Sequence, residues 1–314
     1  MTPWITKPVP FNIGQGGAAA SASGGSRGVF GGGQVGGGYS AVMDFITIQT
    51  EGDAETFGNL SDGACRQLAG FADSTRGCFG GGYNGSNQGE IEFITVATES
   101  NSSTFGDLTV DRRALAGLAN ETRGCFGGGY TTTSSAVIDF VTIQTEAAAQ
   151  TFGDLTQARN TAVGVADATR GCWCGGDIGG TPGTVATIDF ITIQTEGDAE
   201  TFGDLSVDRA GSAGVADETR GVICGGSEES TRTDICDFIT IQTEGTADNF
   251  GDLITPLNST AGCADSTRGC IGGGRTDATV DVAAVSFITI QSEGDAETFG
   301  DLTEGRNLLA GLGE

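Results

Sequence analysis

Apolar residues in this chain come in short runs, broken at even intervals by glycines and polar turns. The stretch Leu115–Thr156, "LAGLANETRGCFGGGYTTTSSAVIDFVTIQTEAAAQTFGDLT", holds four such runs. They predict strand a near Leu115–Ala119, strand b near Gly124–Gly128, strand c near Val137–Thr145 and strand d near Thr151–Leu155. Strand c is rich in Val, Ile, Phe and Thr, side chains that suit a pleated surface. Its apolar positions Val137, Ile138, Phe140, Val141 and Ile143 cover both faces, so both faces should be buried. No apolar run has the length and period of a helix of about ten residues or more.

The pattern repeats. Arg-Gly pairs begin at Arg27, Arg76, Arg123, Arg170, Arg220 and Arg268, spaced 47 to 50 residues apart. Phe-Gly pairs at Phe57, Phe105, Phe152, Phe202, Phe250 and Phe299 give the same period and the same count. Six units of four short strands predict an all-β, six-bladed propeller rather than a stack of solenoid coils. A blade that is apolar on both faces needs two neighbours, so the ring must close. The ends are complementary. "RNLLAGLGE" at Arg306–Glu314 has the strand a pattern and then stops, while "SRGVFGGG" at Ser26–Gly33 opens with strand b. The C-terminal strand is therefore expected in the first blade, leaving no open edge. "AAASAS" at Ala18–Ser23 competes for the same slot with poorer side chains. Residues 1–17 read as an N-terminal extension and 18–314 as one propeller domain.

Composition narrows the chemistry. The chain of 314 residues has 55 glycines, clustered after each Arg-Gly pair. No phosphate-loop motif surrounds them, and a dinucleotide fingerprint would need a helix to follow. The expectation is structural: close approach near a crowded axis, where only glycine fits. Net charge is −26, with no histidine and one lysine, Lys7. That disfavours nucleic acid as a partner and removes the commonest general base and metal ligand. No stretch is long and apolar enough to insert in a membrane, and "MTPWITKPVPFN" lacks the pattern of a secretory signal. Nine cysteines, an odd number, read as mostly buried reduced thiols. "CWC" at Cys172–Cys174 is expected to point its two thiols to opposite faces, a poor arrangement for one metal.

Charged residues also fall in register. The Arg-Gly arginines, and a second set read as Arg66, Arg113, Arg159, Arg209 and Arg306, suggest ion pairs between strands or blades. Strand c carries Asp44, Glu92, Asp139, Asp189 and Asp237, with Ser286 the exception. Glycosidase chemistry needs two carboxylates in unlike environments, which repeated equivalents do not supply. "EGDAE" recurs at Glu51, Glu196 and Glu293, where a hard cation such as calcium can bind weakly; no other cofactor is implied.

"RGCFGGGYTTTSSAVIDFVTIQTEAAAQTFGDLTQAR" resembles a degenerate kelch repeat, with Gly127-Gly128, the run Val137–Ile143, Phe152 and Arg159 at the family's positions. Phe140 and Phe152 stand where kelch repeats usually have tyrosine and tryptophan. The wording "FGDLT…R…TRG.FGGG…IDFITI" is similar to repeat proteins of tailed, notably marine, bacteriophages, which are virion structural proteins. That resemblance spans about residues 18–314. It implies a non-enzymatic role in attachment or particle assembly, and a virion location after assembly in the host cytoplasm. It also implies other virion proteins, and a host surface protein or glycan, as partners. A tail-borne host-binding protein and a capsid decoration protein both fit. The alternative is a glycan-processing enzyme.

A propeller has two unlike faces. The a–b and c–d turns share one, on which nineteen carboxylates meet six Arg-Gly arginines. The b–c loops and d–a links share the other, and the b–c loops vary in length and composition. Variable loops on a regular scaffold are where specificity is usually built. The candidate partner-binding residues are therefore Tyr83, Tyr130, Arg232 and Arg275. The tyrosines either stack on a sugar or protein or pack against the neighbouring blade.

Overall fold

A computed structural model describes residues 26–277 and 280–313. They form six four-stranded antiparallel blades arranged as a propeller around a central axis. Blade 3 shows the plan: strand a is Ala116–Ala119, b Arg123–Gly127, c Val137–Thr142 and d Gln150–Asp154. Strand c is shorter than its apolar run suggested, because Ile143 already belongs to the turn. A register shift between Ile138 and Asp139 lets strand d curl, and the same bulge recurs at the equivalent step of every blade.

Closure follows the C-terminal route. Ala310–Gly313 pairs antiparallel with Arg27–Gly31 and becomes strand a of blade 1. The competing segment at 18–23 and the extension at 1–17 lie outside the described residues. The same segment closes a second ring. Gln67, Ala114, Thr161, Gly211, Ser259 and Leu308, one in each d–a link, all have φ between 50° and 70°. Each donates its N–H to the carbonyl of the previous one at 2.7–2.9 Å, and Gln67 donates to Leu308. Five of the six are not glycine, and each left-handed residue costs about 1–2 kcal/mol. A closed cycle of backbone hydrogen bonds offsets that strain.

Six apolar clusters form the core, one between each pair of adjacent blades. The fourth residue of strand b packs on the last residue of the preceding blade's strand b. A Cβ on Gly31, Gly80, Gly127 or Gly272 would come within 3 Å of Phe79, Phe126, Trp173 or Phe30 respectively. Where the packing residue is the smaller Ile223 or Ile271, the preceding blade ends in Cys174 or Cys224 instead of glycine. Volume is conserved across the interface, as close packing requires. Two cysteines thus have a packing explanation. Cys172 and Cys174 lie in one cluster and Trp173 in another, so the two thiols share a face, contrary to expectation. Residues two apart on a strand always do.

The axis belongs to other glycines than the clustered ones. Gly70, Gly117, Gly164, Gly214, Gly262 and Gly311, in the middle of each strand a, ring the channel. A Cβ on any of them would meet the carbonyl of the preceding one at 2.2–2.9 Å. The clustered pairs, such as Gly128-Gly129 with φ of 66° and 110°, make the turn out of strand b. A Cβ on Gly128 would stand 2.6 Å from the Arg159 carbonyl. The channel is a cavity of about 110 Å³ with no titratable group in its wall.

Candidate recognition face

The strand c acids are not available to a ligand in the blades that carry an arginine partner. Asp139 and Arg112 are both fully buried and meet at 2.7 Å. Arg159–Asp189, Arg209–Asp237 and Arg306–Asp44 repeat the pair at 2.8–2.9 Å. The hydroxyl of Thr109, Thr156, Ser206 or Thr303 donates to the same carboxylate. The in-register arginine is thus Arg112, not its neighbour Arg113, and its equivalent in blade 2 is Cys65, not Arg66. Adjacent arginines hid the register: counting from Arg66 selects the wrong one. Arg112 spends its remaining donors on the Gly128, Val110 and Phe126 carbonyls. Arg159 leaves Nε and Nη1 buried without a partner, and burial lowers its pKa despite Asp189.

The a–b and c–d turns build one face as six near-identical clamps. Arg76 of strand b lies 4.1 Å over the Phe93 ring of its own blade. It donates to the Ile143 carbonyl and pairs with Glu146 at 3.1 Å, both in the next blade. Arg27, Arg123, Arg170, Arg220 and Arg268 pair with Glu99, Glu196, Glu244, Glu293 and Glu51 in the same way. The a–b aspartates are not exposed acids: Asp73, Asp167, Asp217 and Asp265 are buried. In Asp73, Oδ1 accepts the Thr75 and Arg76 N–H groups, and Oδ2 accepts Gln144 from the next blade at 2.6 Å. In the EGDAE turns, Asp53, Asp198 and Asp295 accept backbone N–H groups of Asp301, Asp154 and Asp252 on the preceding blade. Much of the acidic face therefore holds blades together. Among the described residues no three of Cys, Asp and Glu gather as a metal site requires.

The opposite face is irregular. Each blade joins one d–a link residue to one b–c loop residue by a backbone bridge: Gln34–Asn307, Arg66–Tyr83, Arg113–Tyr130, Asn160–Asp177, Ala210–Ser227 and Asn258–Arg275. The backbone geometry repeats while the side chains do not. In blades 1 to 3 they form a ladder. The Arg66 guanidinium lies 5.3 Å from the Tyr39 ring centre and 5.4 Å from that of Tyr83. Arg113 lies 4.8 Å from Tyr83 and 4.6 Å from Tyr130.

Tyr83 and Tyr130 are thus brought together through Arg113, half-buried and packed on neighbouring links. Arg232 and Arg275 stand together elsewhere on the ring, both at Asn258. Arg232 Nε donates to its side chain at 3.3 Å, and Arg275 bridges its backbone. Each also has an acid, Asp277 at 3.4 Å and Asp281 at 2.9 Å. Sequence reasoning placed the links and b–c loops on this face but did not single out Arg66, Arg113, Asn160 and Asp177 as recognition candidates. The bridging register was the signal that could have found them.

Beside the end of the ladder is a cavity of about 420 Å³, whose wall includes Arg113, Tyr130, Ser134, Asn160 and Asp177. That volume falls within the range of small-ligand sites, roughly 300–1,000 Å³.

The nine cysteines are all free thiols, and eight are buried. Burial pushes the Cys125 and Cys174 thiols up to about 12 and the half-buried Cys65 up to about 11. They are poor nucleophiles and poor metal ligands at neutral pH.

No protein-family model matches this chain, and no curated protein matches it.

Proposed function

We propose that this protein is a non-enzymatic virion structural component, which serves attachment or particle assembly through its b–c face. The virion assignment rests on the resemblance of its repeats to tailed-bacteriophage structural proteins. The choice of face rests on one observation. The regular charged residues are engaged in holding blades together, whereas the link-and-loop bridges keep one backbone geometry and vary their side chains. A rigid frame with interchangeable side chains suits recognition. Against a glycan-processing reading, four of the five repeated acids are held in Asp–Arg pairs, local donors hold Glu92, and the cavity wall holds one carboxylate, Asp177.

Two measurements test this. Antibody labelling or proteolytic mapping of purified particles should place the protein on the particle surface, and its absence from particles would reject the virion role. Alanine variants at Tyr130, Arg232 and Arg275 should weaken binding to particle or host surface with the melting temperature held within a few degrees. Weakening at a hot spot is expected to exceed about tenfold. Neutral loop variants together with a loss of binding in Glu200→Gln would assign recognition to the other face.

A further inference from the structure

Along the ladder, the repeat sets a guanidinium beside each loop tyrosine until blade 4. There the link residue is Asn160 and the loop residue Asp177. Asn160 is too short to reach over Tyr130, and its amide turns to Ser134 Oγ and the Asp177 carbonyl, both at 3.0 Å. The 420 Å³ cavity lies at this step of the register. We propose that this cavity receives an arginine side chain from a partner protein, which would continue the ladder over Tyr130 and pair with Asp177.

Three observations carry this. The chain already stacks two of its own arginines on tyrosines of this face, at 4.6–5.4 Å from the ring centres. Asp177 is half-buried in the wall, takes the Gly179 N–H on Oδ1 at 2.5 Å, and has no ion pair among the described residues. The net charge of −26 draws a cation toward the molecule. Arg113 also contributes to the wall, which would favour an anion. Its charge is already met by two rings and by Asn87 Oδ1 at 2.9 Å. A planar cation between an aromatic face and a carboxylate gains both cation–π and charge-assisted hydrogen bonding.

The inference deepens the b–c face reading and depends on it only for the partner being a protein. The probes are N-acetyl-arginine amide, its neutral isostere N-acetyl-citrulline amide, N-acetyl-glutamate amide and free arginine, titrated into the full chain by calorimetry at low salt. Arginine amide should bind at least tenfold tighter than citrulline amide. Asp177→Asn should cost about fivefold. Asn160→Arg supplies the side chain that the register lacks. It should fold normally, raise the melting temperature and lower probe affinity at least tenfold. Equal binding of citrulline amide, preference for glutamate amide, or full binding by Asn160→Arg would overturn the proposal. Tighter binding of free arginine would assign the cavity to a small molecule and overturn the partner side chain. Failure of every probe, with particle binding still lost in the loop variants, removes the cavity and leaves the face.

Discussion

In blade 3, Arg112 leaves the d–a link, turns inward and meets Asp139 at 2.7 Å, with the Thr109 hydroxyl on the same carboxylate. At the same three places in blade 6 stand Leu257, Ser286 and Ile254. Leu257 joins the apolar cluster between blades 5 and 6, and Ile254 is exposed. All three members of the polar network change together. Blade 2 changes only part of it: Cys65 replaces the arginine, and Glu92 replaces the aspartate. Glu92 Oε1 accepts the Asp62 N–H at 2.8 Å and the Ser102 hydroxyl at 3.0 Å, besides both the hydroxyl and the N–H of Ser61. One backbone frame thus accepts an ion pair, an apolar substitute and a carboxylate satisfied by local donors. A buried ion pair contributes little net stability over a well-packed apolar substitute, but half of one is costly. Positional identity is therefore set by completeness of the network, not by charge.

The largest effect is expected where a buried ion pair and a strand are removed together. Deleting 306–314 takes away the Arg306 partner of Asp44, strand a of blade 1 and the Leu308 link of the backbone ring. The truncated chain should lose cooperative unfolding and become polydisperse in light scattering. A monodisperse chain with an unchanged melting curve would mean that another segment closes the ring. Next in size is Arg112→Ala, which leaves Asp139 buried without its partner. Denaturant unfolding should show a loss of about 3–5 kcal/mol. A loss below about 1 kcal/mol would mean that Asp139 finds water or protonates at no cost.

A transplant sharpens the comparison. Replacing Thr109, Arg112 and Asp139 together by the blade 6 residues, as T109I, R112L and D139S, should leave stability within about 2 kcal/mol of the parent chain. The triple variant should be more stable than Arg112→Ala alone. If it is no better, the pair contributes something that an apolar substitute cannot, such as fixing the register between link and strand c.

How far the sequence shows this depends on what a period can carry. Blade count, strand order and closure were legible because apolar runs and two markers repeat at the scale of one blade. The Arg-Gly arginines were legible as structural ion pairs for the same reason, though not whether they join strands or blades. The inward arginine was not, since Arg112 and Arg113 are neighbours and only side-chain direction distinguishes them. Gly117 was overlooked beside the triple glycine Gly127–Gly129, although its lone hydrogen is what lets six strands meet at the axis. The left-handed collar falls on Gln67, Ala114 and Leu308, residue types that give no turn signal. The Tyr130–Asp177 step of the b–c face was invisible because it is defined by which residue the register withholds.

The smallest effect concerns the third solution, blade 2, and is absent at neutral pH. Cys65 replaces a permanently charged group with one that burial keeps protonated, its pKa raised from 9.0 to about 11. Cys125 and Cys174 are raised to about 12 by the same cause. The sign follows from where the proton is held. Well below pH 9, at about pH 7.5 and under, both folded and unfolded thiols are protonated, and the stability is fully present. Between pH 9 and 11 the unfolded chain ionises first and stability falls, each such thiol adding up to about 1.4 kcal/mol per pH unit. Urea unfolding at pH 6.5, 7.5 and 10 should give equal stability at the first two and a drop at the third. In Cys65→Ala the drop should be shallower. In the native state at pH 8, a thiol reagent should reach Cys65 first and slowly, and denaturant should expose all nine. A stability that stays flat to pH 11, or four disulfides in the denatured count, would contradict a core of protonated thiols.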